Sequence, residues 1–461
     1  MSKPTIVLGI APTKRGFLSM EEAKRQKDKF MAVARTVKSD SVQIIDIDDI
    51  CENGILFETE KISAVVEKFK DARIDALFLP HCDFGEEQCA AGVAAALKVP
   101  TLIWGNRDEA PNSDQSRGRD TQCGMFACTK VLRRFGVQYS YIWNCETESE
   151  DFLRGFERFI RTVAVVKTAR ALRIAKFGAR PQPFMSVMAN EGDLATKLGV
   201  TVIPISPNAV ALRADRLQKE SHSDYMACRE DFKTRFDTSL TPDETVDRIV
   251  ALRLAVNQLM EENNCSAGAM ECWSAASIFG APVCAVLGEL SDAGLPLACE
   301  TDVNGAVTMA MLHAAALGDE SVFLADLTIR HPENDNAELL WHCGPFPYSL
   351  KDPASTARLA GGQERFYLKK GEITICRFDE ADGNYYLFGG EGRATSGPET
   401  TGTYVWLETD NWKRWEEKLM FGPYIHHVGG VYGSYKAVLR EAARYLGLIF
   451  DDADQQGIYS L

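Results

Sequence analysis

The chain is short of histidine, of basic residues and of paired-cysteine motifs, and each shortage removes a class of function. Lys and Arg number 51 against 65 Asp and Glu, giving a net charge of −14, and the basic residues are interspersed with acids rather than clustered. Phosphate backbones are bound by basic surfaces, so no nucleic-acid partner is expected. No uncharged apolar run approaches the roughly 18 residues needed to cross a bilayer, so no membrane partner is expected either. G-x-G-x-x-G, Walker A and G-x-S-x-G are all missing. Dinucleotide binding, ATP binding and a nucleophile-elbow hydrolase therefore have no support. The 13 cysteines include no C-x-x-C, and several sit in apolar contexts, such as Cys284 in Val-Cys-Ala-Val and Cys376 in Thr-Ile-Cys-Arg. Met-Ser-Lys-Pro-Thr leads into a strand-like run without a signal-peptide pattern. Reduced, buried thiols in a cytoplasmic protein are the expectation.

What is present reads as α/β. Thr5–Gly9, Val42–Ile45, Ala76–Pro80, Thr101–Trp104 and Gln138–Trp143 are strand-like. Helical spacing separates them over Met20–Val37, Ile62–Lys70, Glu86–Leu97 and Thr121–Phe135. This alternation predicts βαβ units on a parallel, doubly wound sheet. A helix-like run from Glu150 to Phe177 contains the first expected boundary, near residue 168. A second α/β portion opens at Pro183-Phe-Met-Ser-Val187. It includes a helix from Thr241, where Thr241-Pro-Asp-Glu244 reads as a capped start. After about residue 330 strand signals dominate, among them Glu372–Cys376, Tyr385–Phe388 and Thr403–Leu407. The expected architecture is two doubly wound α/β domains, 1–168 and 169–329, followed by a β-rich, barrel-like domain over 330–461.

The chemistry concentrates in a few places. Leu297-Ala-Cys-Glu-Thr-Asp302 ends an apolar run in two acids, and Phe323-Leu-Ala-Asp326 ends the next in a third. Read as one strand–helix–strand unit, these segments would put Glu300 and Asp326 at the same sheet edge, where open α/β sheets bind ligands. Acids at strand ends also cap helices, and Asp302 is a candidate cap for the helix starting at Val303. Of seven histidines, His426 and His427 are adjacent, and a histidine joining two carboxylates makes a candidate metal site. His342 closes a strand before a small-residue turn. His81 closes a strand of the first domain, and Trp273 follows Glu271 after a small-residue run. The indole is a candidate platform for a sugar face. His313 reads as packed on a helix, and His222 and His331 as surface residues.

Together, Glu300-Thr-Asp302 with Asn304-Gly-Ala306, Phe323-Leu-Ala-Asp326, and His426-His427 before Val-Gly-Gly-Val-Tyr-Gly433 resemble the L-fucose isomerase and L-arabinose isomerase superfamily. Over essentially its full length the chain looks like a shorter, divergent, fucose-isomerase-like branch. The resemblance implies an aldose–ketose isomerase working through an enediol on bound Mn2+ or another divalent metal. Glu300 and Asp326 would be metal ligands and proton carriers, with His427 the favoured metal histidine. His342 would be a fourth ligand or an oxygen-binding group. It also implies a homo-oligomer, with a hexamer favoured and active sites built between subunits. Where the fucose enzymes carry Gly-Ile-Arg-Pro, this chain has Gly9-Ile-Ala-Pro12, with Lys14 and Arg15 as possible replacements for the substrate-reaching arginine. His426, Trp273, Arg15 and His81 complete the candidate substrate contacts. A related branch acts on sulfoquinovose, whose sulfonate would want a basic subsite, and Lys14, Arg15, Arg107, Arg117, Arg119 and Arg180 are available. Two alternatives remain: a non-catalytic sugar-binding protein on the same scaffold, or a metal-dependent lyase or epimerase.

Overall fold

The computed structural model describes residues 5–220, 223–273 and 275–457; His222 lies outside them. The chain divides into two compact units, Lys3–Lys167 and Thr168–Leu461.

In the first unit, β1 (Ile6–Ile10), β2 (Val42–Ile45), β3 (Ala76–His81), β4 (Thr101–Gly105) and β5 (Tyr139–Tyr141) form one sheet in the order β2-β1-β3-β4-β5. Every pairing is parallel. β3 and β4 are buried along their whole length, as expected of strands covered by helices on both faces. The strands and helices read from the sequence lie here within a few residues of their expected positions.

The second unit combines a parallel sheet with a barrel. β6 (Arg173–Phe177), β7 (Thr201–Ile205), β9 (Ala267–Met270) and β10 (Leu297–Cys299) pair in the order β10-β9-β6-β7, all parallel. β8 (Asp237–Leu240) belongs elsewhere. It pairs with β13 (Arg358–Ala360) at the far edge of the barrel sheet. The run from Glu150 to Phe177, expected to be helical throughout, is a helix only to Arg170, and its last five residues are β6. Ile174, Ala175 and Phe177 are fully buried there, and this tertiary burial overrides the helical pattern. Pro183–Val187, the expected opening of the second α/β portion, is a turn running into a short 3-10 helix, Met185–Val187. Thr241 does not cap the following helix, because its Oγ1 donates to the carbonyl of Leu359.

The barrel is built from β11 (Val322–Arg330), β12 (Ala337–His342), β15 (Glu372–Ala381), β16 (Asn384–Thr395), β17 (Thr403–Glu408) and β18 (His427–Tyr432). β14 (Gln363–Tyr367) and β19 (Ile449–Asp452) extend the sheet outside it. The six run β16-β15-β18-β11-β12-β17, and pairing of Arg393 with Glu408 and Thr395 with Trp406 closes β17 back onto β16. Closure removes the free edges that an open antiparallel sheet would expose. The expected β-rich barrel is therefore present. It already includes β11, so Asp326 does not end a strand of the parallel sheet. β11 pairs antiparallel with β12 and β18 and continues four residues past Asp326.

The Val303–Ala315 helix joins the two halves of this unit. It packs against β9 and β10 on one side and β11, β15 and β18 on the other. All of it except His313 is buried, which explains why it is apolar all round rather than on one stripe. Close approach is permitted by Gly429, where a Cβ would stand 2.8 Å from both Leu312 and Thr308. One continuous core runs through both halves, from Phe177 and Met270 to Phe323, Ile375 and Val428.

Candidate active site

The site lies where the C-terminal edge of the β10-β9-β6-β7 sheet meets the barrel. Chain geometry supplies the first component. After Cys299 the backbone enters the left-handed region at two successive non-glycine residues, Glu300 (φ 58°) and Thr301 (φ 60°). Such residues are rare and strained, and they persist where surrounding structure over-determines them. Here Thr301 N–H donates to Met270, Asp302 N–H donates to Cys299, and Thr301 Oγ1 donates to Ala179. The turn aims the Glu300 carboxylate off the sheet edge, and Asp302 then caps the helix, accepting from Gly305 N–H at 2.8 Å.

The barrel supplies the other components. Asp326 and His427 are direct cross-strand partners on β11 and β18, which places their side chains on one face. Glu300 Oε2 lies 3.1 Å from His427 Nε2, and Asp326 Oδ1 lies 3.3 Å from it. Glu300 and Asp326 therefore both reach His427, but across a sheet–barrel junction and not as ends of neighbouring parallel strands.

The tautomer of His427 follows from its other nitrogen. Nδ1 lies 2.9 Å from Asp302 Oδ2, and a carboxylate can only accept, so Nδ1 carries the hydrogen. The Nε2 lone pair then faces the two carboxylates. Asp302 is itself fixed by Arg377, which reaches both of its oxygens at 2.5 and 3.3 Å and also donates to Asp379. Burial opposes charge on Asp302, but Arg377 and His427 outweigh it and hold the carboxyl well below its usual range. Glu300 is likewise lowered against burial, chiefly by His427. The imidazole is raised against burial by Asp302, Glu300 and Asp326. Each shift has one meaning: the pocket favours positive charge between the carboxylates.

These donors fit a divalent cation. Asp326 Oδ1 and His427 Nε2 are buried without a hydrogen-bond partner, a costly state unless a cation or proton is shared between them. Adjacent ligand atoms around a six-coordinate ion with bonds of about 2.1 Å lie about 3 Å apart, close to the two carboxylate–imidazole separations; the donor atoms within 4.8 Å of one another are those of Glu300, His342 and His427, and those of Asp326, His426 and His427. Two carboxylates with one imidazole suit manganese or a similar ion.

His342 also has a donor atom within 4.8 Å of those of Glu300 and His427. Its Nδ1 accepts the Cys343 backbone N–H at 2.9 Å, so the neutral ring carries its hydrogen on Nε2. That nitrogen points toward Asp326 Oδ1 at 4.0 Å as a donor without a partner. His426, whose side chain is 48% exposed, also stands 4.0 Å from Asp326. Its ring stacks on Phe184 (5.7 Å, 16°), and Phe184 stacks in turn on Trp273 (5.7 Å, 13°) while meeting His427 edge-on. Trp273 Nε1 donates to Glu300 Oε1 at 3.0 Å. The three stacked rings make an apolar wall beside the carboxylates, the kind of surface a sugar face packs against. Phe184 was not among the sequence candidates. Its loop is held by Glu271, which accepts the Ala179 N–H at 3.0 Å, and by Thr301.

Arg15 and His81 belong to the other unit and form a cluster of their own. Arg15 pairs with Glu86 at 3.1 Å and lies over Phe84. His81 bonds the Phe84 carbonyl, and burial pushes its pKa down to about 4. Of the other basic candidates, Lys14 is buried against the carbonyls of Arg15 and Gly16, Arg117 pairs with Asp120, and Arg119 is buried against Glu109. Arg107 is exposed. Arg180 lies in the Thr168–Leu461 unit, in the Phe184 loop.

Residues 9–170 match the fucose/sulfoquinovose isomerase N-terminal domain, and residues 359–453 match the L-fucose isomerase C-terminal domain. The chain thus belongs to the fucose-isomerase-like family, whose members interconvert aldoses and ketoses. Its curated relatives include the sulfoquinovose isomerase of Priestia aryabhattai, 26% identical over 87% of this chain and 90% of the relative. The sulfoquinovose isomerase of Alkalicoccus urumqiensis is 26% identical over 70% and 73%, and that of a Clostridium species 25% identical over 87% and 90%. Among the described residues no helix is long and apolar enough to cross a membrane.

Proposed function

We propose that this isomerase works through an enediol with a divalent cation held by Glu300, Asp326 and His427, and that its substrate is an anionic hexose of the sulfoquinovose type. The approach of Glu300 Oε2 and Asp326 Oδ1 to the unpartnered His427 Nε2, at 3.1 and 3.3 Å, carries the reading. A bound divalent ion would supply Lewis acidity, polarising the sugar's carbonyl and stabilising negative charge on its oxygens.

The chain's own groups do the rest. One of the two carboxylates removes the proton from C2 and returns it to C1, while the second balances the charge that develops. A hydrogen moves from O2 to O1 at the same time, so the aldose becomes its ketose without net gain or loss of atoms. His342 Nε2–H donates to a sugar oxygen and orients the reacting carbons. Asp302 and Arg377 keep His427 in one tautomer. Trp273, Phe184 and His426 shield one face of the site from water. Arg180, in the Phe184 loop, is the basic residue assigned to the anionic end of the sugar. The relatives' substrate supports the sulfonated class. Self-association into a homo-oligomer remains the expected assembly.

The test is a panel of L-fucose, D-arabinose, L-arabinose, L-rhamnose and sulfoquinovose, incubated with purified protein and Mn2+ and followed by NMR. Ketose is expected to accumulate, fastest from sulfoquinovose, and EDTA should stop it. Equal rates with and without EDTA would refute the cation's part. Fastest turnover of a neutral sugar would refute the anionic substrate. An epimeric aldose or a cleaved product in place of the ketose would favour the epimerase or lyase alternative.

A further inference from the structure

A second cluster of donor atoms shares Glu300. Cys299 is the last residue of β10 and Cys272 follows the end of β9, so neighbouring parallel strands deliver both thiols to the same edge. Their sulfurs are 3.5 Å apart. The two sulfurs and a Glu300 carboxylate oxygen all lie within 4.8 Å of one another. Around tetrahedral zinc, with Zn–S bonds of about 2.3 Å, neighbouring sulfurs stand about 3.8 Å apart, so the pair needs little movement to chelate. Both cysteines are free thiols. Cys299 is buried, whereas Cys272 and Glu300 are partly exposed, so the cluster is closed behind and open in front.

The geometry points to a second, softer cation site formed by Cys272, Cys299 and Glu300, taking a thiophilic divalent ion of the zinc class and drawing Glu300 away from Asp326 and His427. Ligand chemistry separates the two sites. Thiolates select zinc-like ions, whereas carboxylate and imidazole donors suit manganese. Both thiols give their protons to solvent when the ion binds. Because Glu300 serves one ion or the other, zinc acts as a competitive inhibitor of the manganese-loaded protein. The inference rests on the proposed role of Glu300, and its first readout is independent of turnover.

Cadmium titrated into the metal-free, full-length protein reads the site through sulfur-to-metal charge-transfer absorption in the ultraviolet. The wild type is expected to develop this band with the first equivalent, and Cys272→Ser, at a partly exposed position, to lose most of it. Cys284→Ser should keep it; Cys284 belongs to the neighbouring Cys284–Cys343 thiol pair, 3.2 Å apart. With Mn2+ present, Cys272→Ser should retain near-wild-type turnover, and at least a tenfold higher zinc concentration should be needed to inhibit it. An unchanged first-equivalent band in Cys272→Ser, or equal zinc inhibition of both proteins, would overturn the site. Absence of turnover in every form would count against the isomerase mechanism alone, since the band would still report on the thiols.

Discussion

Glu300→Gln is expected to lower kcat by roughly a thousandfold while the protein melts near its usual temperature. Carboxylates acting as general bases contribute on that scale, and an amide cannot take the C2 proton. The fold should survive because Gln keeps an oxygen for Trp273 Nε1 and turns its NH2 toward the His427 lone pair, leaving no new orphan in a place now occupied by Oε2. Asp326→Asn should behave alike, since its Oδ1 faces the same nitrogen. The comparison needs saturating Mn2+, so that lost affinity is not mistaken for lost chemistry. Near-wild-type kcat in either variant would remove that residue from the proton path.

Asp302→Asn should fail in two ways at once. Outer partners of a metal-binding histidine typically contribute 10–100-fold to affinity, and Mn2+ binding measured by calorimetry should weaken within that range. Stability should drop as well, by about 3 kcal/mol, because removing one member of a buried ion pair leaves the other uncompensated. Arg377 is fully buried and, among the described residues, would keep Asp379 alone as a charged partner. His427→Ala separates these effects. It should lose cation affinity with a smaller change in melting temperature, and His426→Ala should change affinity little. Weakened Mn2+ binding only in His426→Ala would mean that the exposed histidine of the pair is the ligand.

Much of this site is local in the sequence, and the rest is not. Asp302 as a cap and Glu300 at a strand end follow from an apolar run meeting a helix start. In the first unit, β1, β3 and β4 stand out because strands covered on both faces are nearly pure apolar runs. Asp326 misleads for the same reason. Val322–Ala325 followed by an acid looks like a strand that stops, whereas Leu327–Arg330 continue it beside β12. Arg377 sits in an ordinary strand pattern, and its meaning depends on Asp302, 75 residues away. Phe184 follows a proline at the start of the second α/β portion with no polar neighbour to mark it, and the distant bonds between Ala179 and both Glu271 and Thr301 hold its loop against Trp273. The helices over Pro207–Glu220 and Ser223–Arg235 left no reading in the sequence; the second carries apolar residues without a clear face.

The most direct measurement is anomalous diffraction from crystals of active protein soaked in Mn2+. A single peak within about 2.2 Å of Glu300, Asp326 and His427 Nε2 is the expected result. An active protein with no ion among those three residues, or with the ion held by His426 in place of His427, would contradict the account.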